Sequence, residues 1–233
     1  MNNSVWTRVW NAIKPPPAVR RRGDVPTGLN PRQKKIIWAT MALIVLIVAG
    51  WQGWSYLASA PLRAQQVYEQ AMLNMTPGHY PEAVRLLSKA VDIYPQLSVA
   101  YLERGNAQNI LGEVEGALAD YDKAIEMGNL AAAYTARGRI YLKRGDAKRA
   151  EADFTSSVGV EPNSDAYFQL GQIREAAGDH TQAILNYDQA IRIQPDAPDF
   201  YLARGQAKQA KGDDEGARAD RNQAFAIEHR LRR

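Results

Sequence analysis

Hydrophobic and polar positions along this chain fall into two regimes. From Ile36 to Leu57 the sequence runs for 22 residues without a charge, and roughly 20 predominantly apolar residues suffice for a helix to cross a bilayer core. From Ala64 to Leu231 small and apolar residues alternate with polar ones in a pattern that recurs every 33 or 34 residues. A period of that length predicts a solenoid of stacked helical units.

Five copies align on a first small residue, at Ala71, Gly105, Gly138, Gly171 and Gly205. Seven residues after each stands a glycine (Gly78, Gly112, Gly145, Gly178, Gly212), followed directly by Asp, Glu or His. That is a helix stop and a helix start, because glycine accepts the left-handed C-terminal conformation and the next polar side chain can cap the following helix. Further on come Ala83, Ala117, Ala150, Ala183 and Ala217, then Leu87, Tyr121, Phe154, Tyr187 and Arg221, then Ala90, Ala124, Ser157, Ala190 and Ala224. The small residues predict close approach of two antiparallel helices, with the aromatic filling the space beside them. Pro95, Pro162 and Pro195 end three of the second helices, since proline cannot continue a helix.

These residues resemble the tetratricopeptide repeat family. Tyr101-Leu102-Glu103-Arg104-Gly105 and Tyr201-Leu202-Ala203-Arg204-Gly205 match its first-helix motif, and the resemblance covers about residues 64–231. The first copy departs from it with Val67 where the others have Tyr101, Tyr134, Tyr167 and Tyr201. The last departs with Arg221 and His229 where an aromatic and a proline are expected. Terminal repeats are often atypical because one face meets solvent. The resemblance implies an all-α fold: a right-handed superhelix of five helix pairs, at about 64–97, 98–130, 131–163, 164–197 and 198–231. It also implies a concave face that holds a segment of another protein, and no chemistry.

In the family that face is lined by fixed positions of the first helices. Carried onto this sequence they are Tyr68, Met72 and Met75 in the first copy, Val99, Leu102, Asn106, Asn109 and Ile110 in the second, and Thr135, Arg139, Leu142 and Lys143 in the third. The fourth and fifth add Phe168, Gln172, Glu175, Leu202, Gln206 and Gln209. Apolar side chains alternating with amides suit a peptide held by side-chain pockets and backbone hydrogen bonds. A clamp for a terminal carboxylate, known in the family, is disfavoured, because Leu102 and Thr135 stand where a lysine would help Asn106 and Arg139.

Two further positions vary together across the copies. Arg104 goes with Asp120, Arg137 with Asp153 and Arg204 with Asp220, whereas Leu170 goes with Asn186 and Gln70 with Leu86. The pattern predicts a structural salt bridge, within a helix pair or between stacked neighbours, with the arginine fork matched to the carboxylate.

The charge-free run changes the setting of these repeats. Residues 36–58 read as a transmembrane signal anchor, with Trp38, Trp51, Trp54 and Tyr56 as interfacial aromatics. Ala58-Ser59-Ala60 has the spacing of a signal-peptidase site, but the apolar stretch is long, the basic region before it is long, and Pro61 follows the would-be cut. Residues 1–35 carry eight basic residues against Asp24 alone, net +7, and such a tail stays cytoplasmic. The expected location is therefore the inner (plasma) membrane, single-pass, with the repeats periplasmic or extracellular. Within the tail, Val5, Trp6, Val9, Trp10 and Ile13 recur at helical spacing, as in a short amphipathic helix on the bilayer surface, before Pro15 opens a Pro-rich linker.

Composition then excludes several classes. The chain carries +4 overall, so removing the tail and Arg63 leaves −4 for residues 64–233, a balance unsuited to tracking phosphates. There is no cysteine, hence no disulfide, thiolate metal site or cysteine nucleophile. His79, His180 and His229 are isolated from a second ligand, and no phosphate loop or nucleophile elbow appears. The expectation is a non-enzymatic, cofactor-free protein that binds other proteins and the bilayer, with no nucleic acid and no small-molecule substrate. It would serve as a scaffold, assembly factor or accessory subunit of a membrane complex. The alternatives are a permanent structural subunit held by its membrane helix and tail, and an organellar receptor with cytosolic repeats.

Overall fold

The computed structural model describes residues 31–231, and the expected tail helix with Trp6 and Trp10 lies outside the described residues. The chain divides into two compact units between Ser55 and Tyr56. The first described helix, α1 (Pro31–Ala58), contains the charge-free run together with Trp38, Trp51, Trp54 and Tyr56. Leu43, Val45, Leu46 and Ile47 along it are all exposed.

In the second unit ten helices form five consecutive pairs: α2 (Ala60–Met72) with α3 (Tyr80–Ile93), α4 (Ser98–Leu111) with α5 (Val114–Gly128), α6 (Ala131–Lys143) with α7 (Ala147–Val160), α8 (Ser164–Ala176) with α9 (His180–Ile193), and α10 (Pro198–Ala210) with α11 (Asp214–Leu231). Each helix packs on the next. The first helices of neighbouring pairs also touch, α4 with α6 and α8 with α10, and so share one face of the stack.

The turns within pairs follow the chemistry of their residues. The five turn glycines have φ between 78° and 88°, a conformation that carries a steric penalty for any residue with a Cβ. Asp146, Asp179 and Asp213, next in sequence after three of them, accept hydrogen bonds from the backbone N–H groups of Arg149, Gln182 and Gly216. His79 and Glu113 make no such bond. Where the second repeat lacks the terminal proline, Asn129 ends α5 in the left-handed region at φ 46°. α2 begins at Ala60 with Pro61 in its first turn, where a missing N–H is harmless.

The core is built from close approach. The alanines at positions 83, 117, 150 and 183 are wholly buried, as are Leu87, Phe154 and Tyr187, and Tyr121 is 1% exposed. A Cβ on Gly105 would come within 2.8 Å of the Tyr121 ring, and one on Gly138 within 3.0 Å of Phe154, so glycine and ring occupy the space jointly. Where the ring is replaced by Leu87, the partner is Ala71, also wholly buried.

Candidate functional site

The three arginine–aspartate pairs close within their own repeats, each as a two-pronged contact. Arg104 donates through Nε and Nη2 to Asp120 at 2.7 Å each, Arg137 to Asp153 at 2.9 and 2.7 Å, and Arg204 to Asp220 at 2.9 and 2.5 Å. The remaining Nη1 reaches back to the second helix of the preceding repeat, to Ser88, Asp122 or Asp188. Each arginine therefore straps two repeats together, so the two geometries that the sequence pattern left open coexist. The second acceptor sits one residue after the Leu87, Tyr121 or Tyr187 position, a regularity present in the sequence. The aspartates are buried and the arginines nearly so, with side chains 5–7% and 18–19% exposed. Hydrogen bonding to aspartate holds all three guanidinium groups above their ordinary pKa, against the opposing effect of burial. Burial pushes the Asp220 carboxyl up, but bonds from Arg204 and Lys208 outweigh it and hold it below the ordinary value.

The joint between the third and fourth repeats has no such strap. Leu170 is buried against Phe154 and Ala166, and Asn186 turns back to donate to Gln182 O at 2.8 Å. Two other pairs cross this joint, Arg139 with Asp165 at 2.6 Å and Arg174 with Glu151.

The residues expected along the groove divide into three sets. Met72, Ile110, Arg139, Lys143, Gln172, Gln206 and Gln209 are exposed, and Tyr68, Val99, Asn109, Leu142 and Leu202 are half-buried. Others hold the fold instead of facing a partner. Phe168 lies between the Tyr187 and Phe200 rings, with centroids 5.7 and 4.8 Å away, and Met75 packs on Ala71 and Leu87. Tyr121 Oη donates to Asn106 Oδ1 at 3.0 Å, and Tyr187 Oη to Glu175 at 2.7 Å. A buried phenol needs such an acceptor. Burial and nearby Glu103 push the Tyr121 hydroxyl up to about 12, and burial with the Glu175 bond raises Tyr187. The third repeat has Phe154 at this place, and its counterpart Arg139 is left free of that duty.

Leu102 and Thr135 are also not open surface, at 8% and 9% exposed. They form part of the wall of a cleft of about 430 Å³ between α4 and α6, together with Glu103, Asn106, three alanines, Arg139, Glu161 and Asn163. A second cleft, about 310 Å³, is lined by Arg139, Leu142, Lys143 and Gln169. Glu103, Glu161, Asn163 and Gln169 were not among the expected groove residues. They lie at other helix positions or in the turn before α8, which a fixed list of family positions omits.

Against known proteins the repeat class is consistent from one end of the stack to the other. Family models described as tetratricopeptide repeat match residues 68–132 and 131–164, and one described as TPR repeat matches residues 171–212. The solenoid is built of tetratricopeptide repeats. No curated protein matches the sequence. Among solved structures the chain is similar to MamA (23% identity, 69% of this chain and 95% of that one, TM-score 0.61). It is also similar to YrrB, described as a TPR protein with an unusual peptide-binding site (20%, 69% and 84%, 0.56), and to PilW, described as a widely conserved type IV pilus biogenesis factor (16%, 71% and 78%, 0.61). At these identities the likeness is one of fold.

Proposed function

We propose that this protein is a membrane-tethered scaffold whose repeat groove holds an extended segment of another protein, with the N-terminal tail cytoplasmic and the repeats across the plasma membrane. The observation that carries the reading is α1. Its side chains from Met41 to Val48 are 41–68% exposed wherever a large apolar residue stands, a surface that in water would be an aggregation site and in lipid is the required one. The +7 tail before it supports the orientation. Two adjoining clefts on the shared face of the first helices support the groove, as do the descriptions of YrrB and PilW as a peptide binder and a biogenesis factor. Confinement to the bilayer plane raises the effective concentration of membrane-bound partners, so a weak peptide site suffices and the mechanism is tethering.

The test is a reporter fused after Arg233 that works only in the cytoplasm, combined with alkaline extraction of the membranes. The expected result is an inactive reporter on protein that stays in the membrane pellet. An active reporter overturns the orientation, and release into the supernatant overturns the anchor.

A further inference from the structure

In the wall of the larger cleft one copy of the repeat departs from the other four. At the fifth position of each repeat the copies have Tyr68, Leu102, Phe168 and Leu202, and the third has Thr135. Its neighbour in space, Ser157, stands where the others have alanine. The two hydroxyls bond each other at 2.7 Å, and Ser157 donates to Ala131 O at 2.9 Å. Asn163 Nδ2 donates to Ser157 at 2.8 Å and to Thr135 at 3.3 Å, while its Oδ1 accepts from Ala166 N–H. A bulky apolar side chain has been exchanged for a small hydroxyl whose hydrogen bonds are satisfied internally, and the volume it gave up opens to the groove.

The charge left over is one-sided. Asn163 is fully engaged, and Asn106 accepts from Tyr121 and donates to Glu103 at 3.1 Å. Arg139 gives Nη2 to Asp165, which offsets its charge. The charge facing the cleft without a counter-ion is carboxylate: one oxygen on Glu103 and both on Glu161, which is exposed at the mouth. The walls beside them are aliphatic, from Leu102 and the alanines at 131, 132 and 136. An apolar wall with acceptors at the rim complements a long aliphatic stem with a donor-rich cationic head, and the repeats' net charge of −4 draws such a group in.

We infer that this cleft receives a basic side chain, arginine or lysine, from the segment lying in the groove. This inference rests on the groove reading and specifies the chemistry of its ligand. The test uses the full chain in a non-ionic detergent and fluorescent nonapeptides of a Gly/Ser/Val host with Arg, Lys, Leu or Glu at the centre, read by anisotropy. Arg and Lys guests bind about tenfold tighter than Leu, and Glu binds weakest. The surface variants Glu103→Gln and Glu161→Gln together erase that preference, whereas Glu126→Gln on α5, outside the cleft, leaves it intact. Thr135→Phe, which refills the cleft, removes guest discrimination, and Thr135→Val, which conserves its size, keeps it. Binding that ignores the guest, or a preference for Arg that survives both glutamine changes, overturns the inference and leaves the groove standing. If no peptide of the series binds, the groove reading itself fails, and this inference with it.

Discussion

The fourth repeat replaces the arginine–aspartate pair with Leu170 and Asn186, and transplanting that pair into the third repeat tests what the ion pair does. Arg137→Leu alone removes three charged hydrogen bonds and leaves Asp153, whose side chain is 7% exposed, without a partner. Breaking a buried pair from one side in this way costs ~3–5 kcal/mol. Asp153→Asn alone is milder, ~2 kcal/mol, because Arg137 keeps Asp122 and the amide oxygen still accepts one bond. Independent effects would sum to ~5–7 kcal/mol. The double variant should instead lie within ~1 kcal/mol of the parent, since an apolar residue of similar size replaces a buried ion pair at little net change. In the fourth repeat the asparagine amide satisfies itself on the carbonyl four residues earlier, a bond open to an asparagine at 153 through the Arg149 carbonyl. Repeat arrays unfold in parts, so the measurement is native-state hydrogen exchange of α6 and α7 amides in the full chain, read as opening free energies. Losses that add in the double variant would refute the pairing argument.

Two further perturbations probe the packing. A Cβ on Gly171 would lie 2.6 Å from Tyr187 Cδ1, whereas one on Gly205 meets nothing nearer than 3.3 Å, because the ring position there is Arg221. Gly171→Ala should lower stability by ~1–3 kcal/mol, and Gly205→Ala should be near neutral after its gain in helix propensity of ~1 kcal/mol; urea unfolding followed by circular dichroism separates them, and equal effects contradict the joint occupation of that space by glycine and ring. At alkaline pH, Tyr121 favours its neutral form in the fold, with the hydroxyl raised from 10.0 to about 12. Its contribution is therefore complete below pH ~10 and is lost as pH rises through ~12, up to ~3 kcal/mol. Tyrosinate absorbance during unfolding checks this, and Tyr121→Phe should remove that share of the pH dependence.

The pairs and turns of the solenoid were legible because each is a local rule repeated along the chain. A glycine at positive φ, a capping aspartate and a ring against a glycine each need only two or three residues at fixed spacing. Arg137 with Asp153 was legible for a different reason: the copies change both residues together, which exposes a contact 16 residues apart in sequence. The groove was less so, because exposure at a first-helix position depends on the second helix. Asn106 and Glu175 look like free polar contacts until the phenols of Tyr121 and Tyr187 are placed beside them. Phe168 looks like a groove contact until Phe200 of the next repeat covers it. Neither the Arg139–Asp165 pair nor the place of Glu161 at the cleft follows from the spacing within one repeat, since both bring adjacent repeats together.

Departures from the shared pattern gather around the third repeat, and their physical effects point the same way. Thr135 exchanges apolar volume for a hydroxyl satisfied by Ser157, in the wall of a cleft. Phe154 releases Arg139 from serving a phenol, and Arg139 borders both clefts. At the following joint, Leu170 and Asn186 replace a fork-shaped contact, which fixes orientation, with apolar packing, which does not. A repeat under selection for stacking alone gains nothing from these exchanges, since filling the cleft with leucine would bury more apolar surface. Local rules broken together at one place, within an otherwise consistent array, are the mark of a site where function competes with packing. On that argument the central contact of the proposed ligand would lie over α6, with the flanking repeats holding that helix in place.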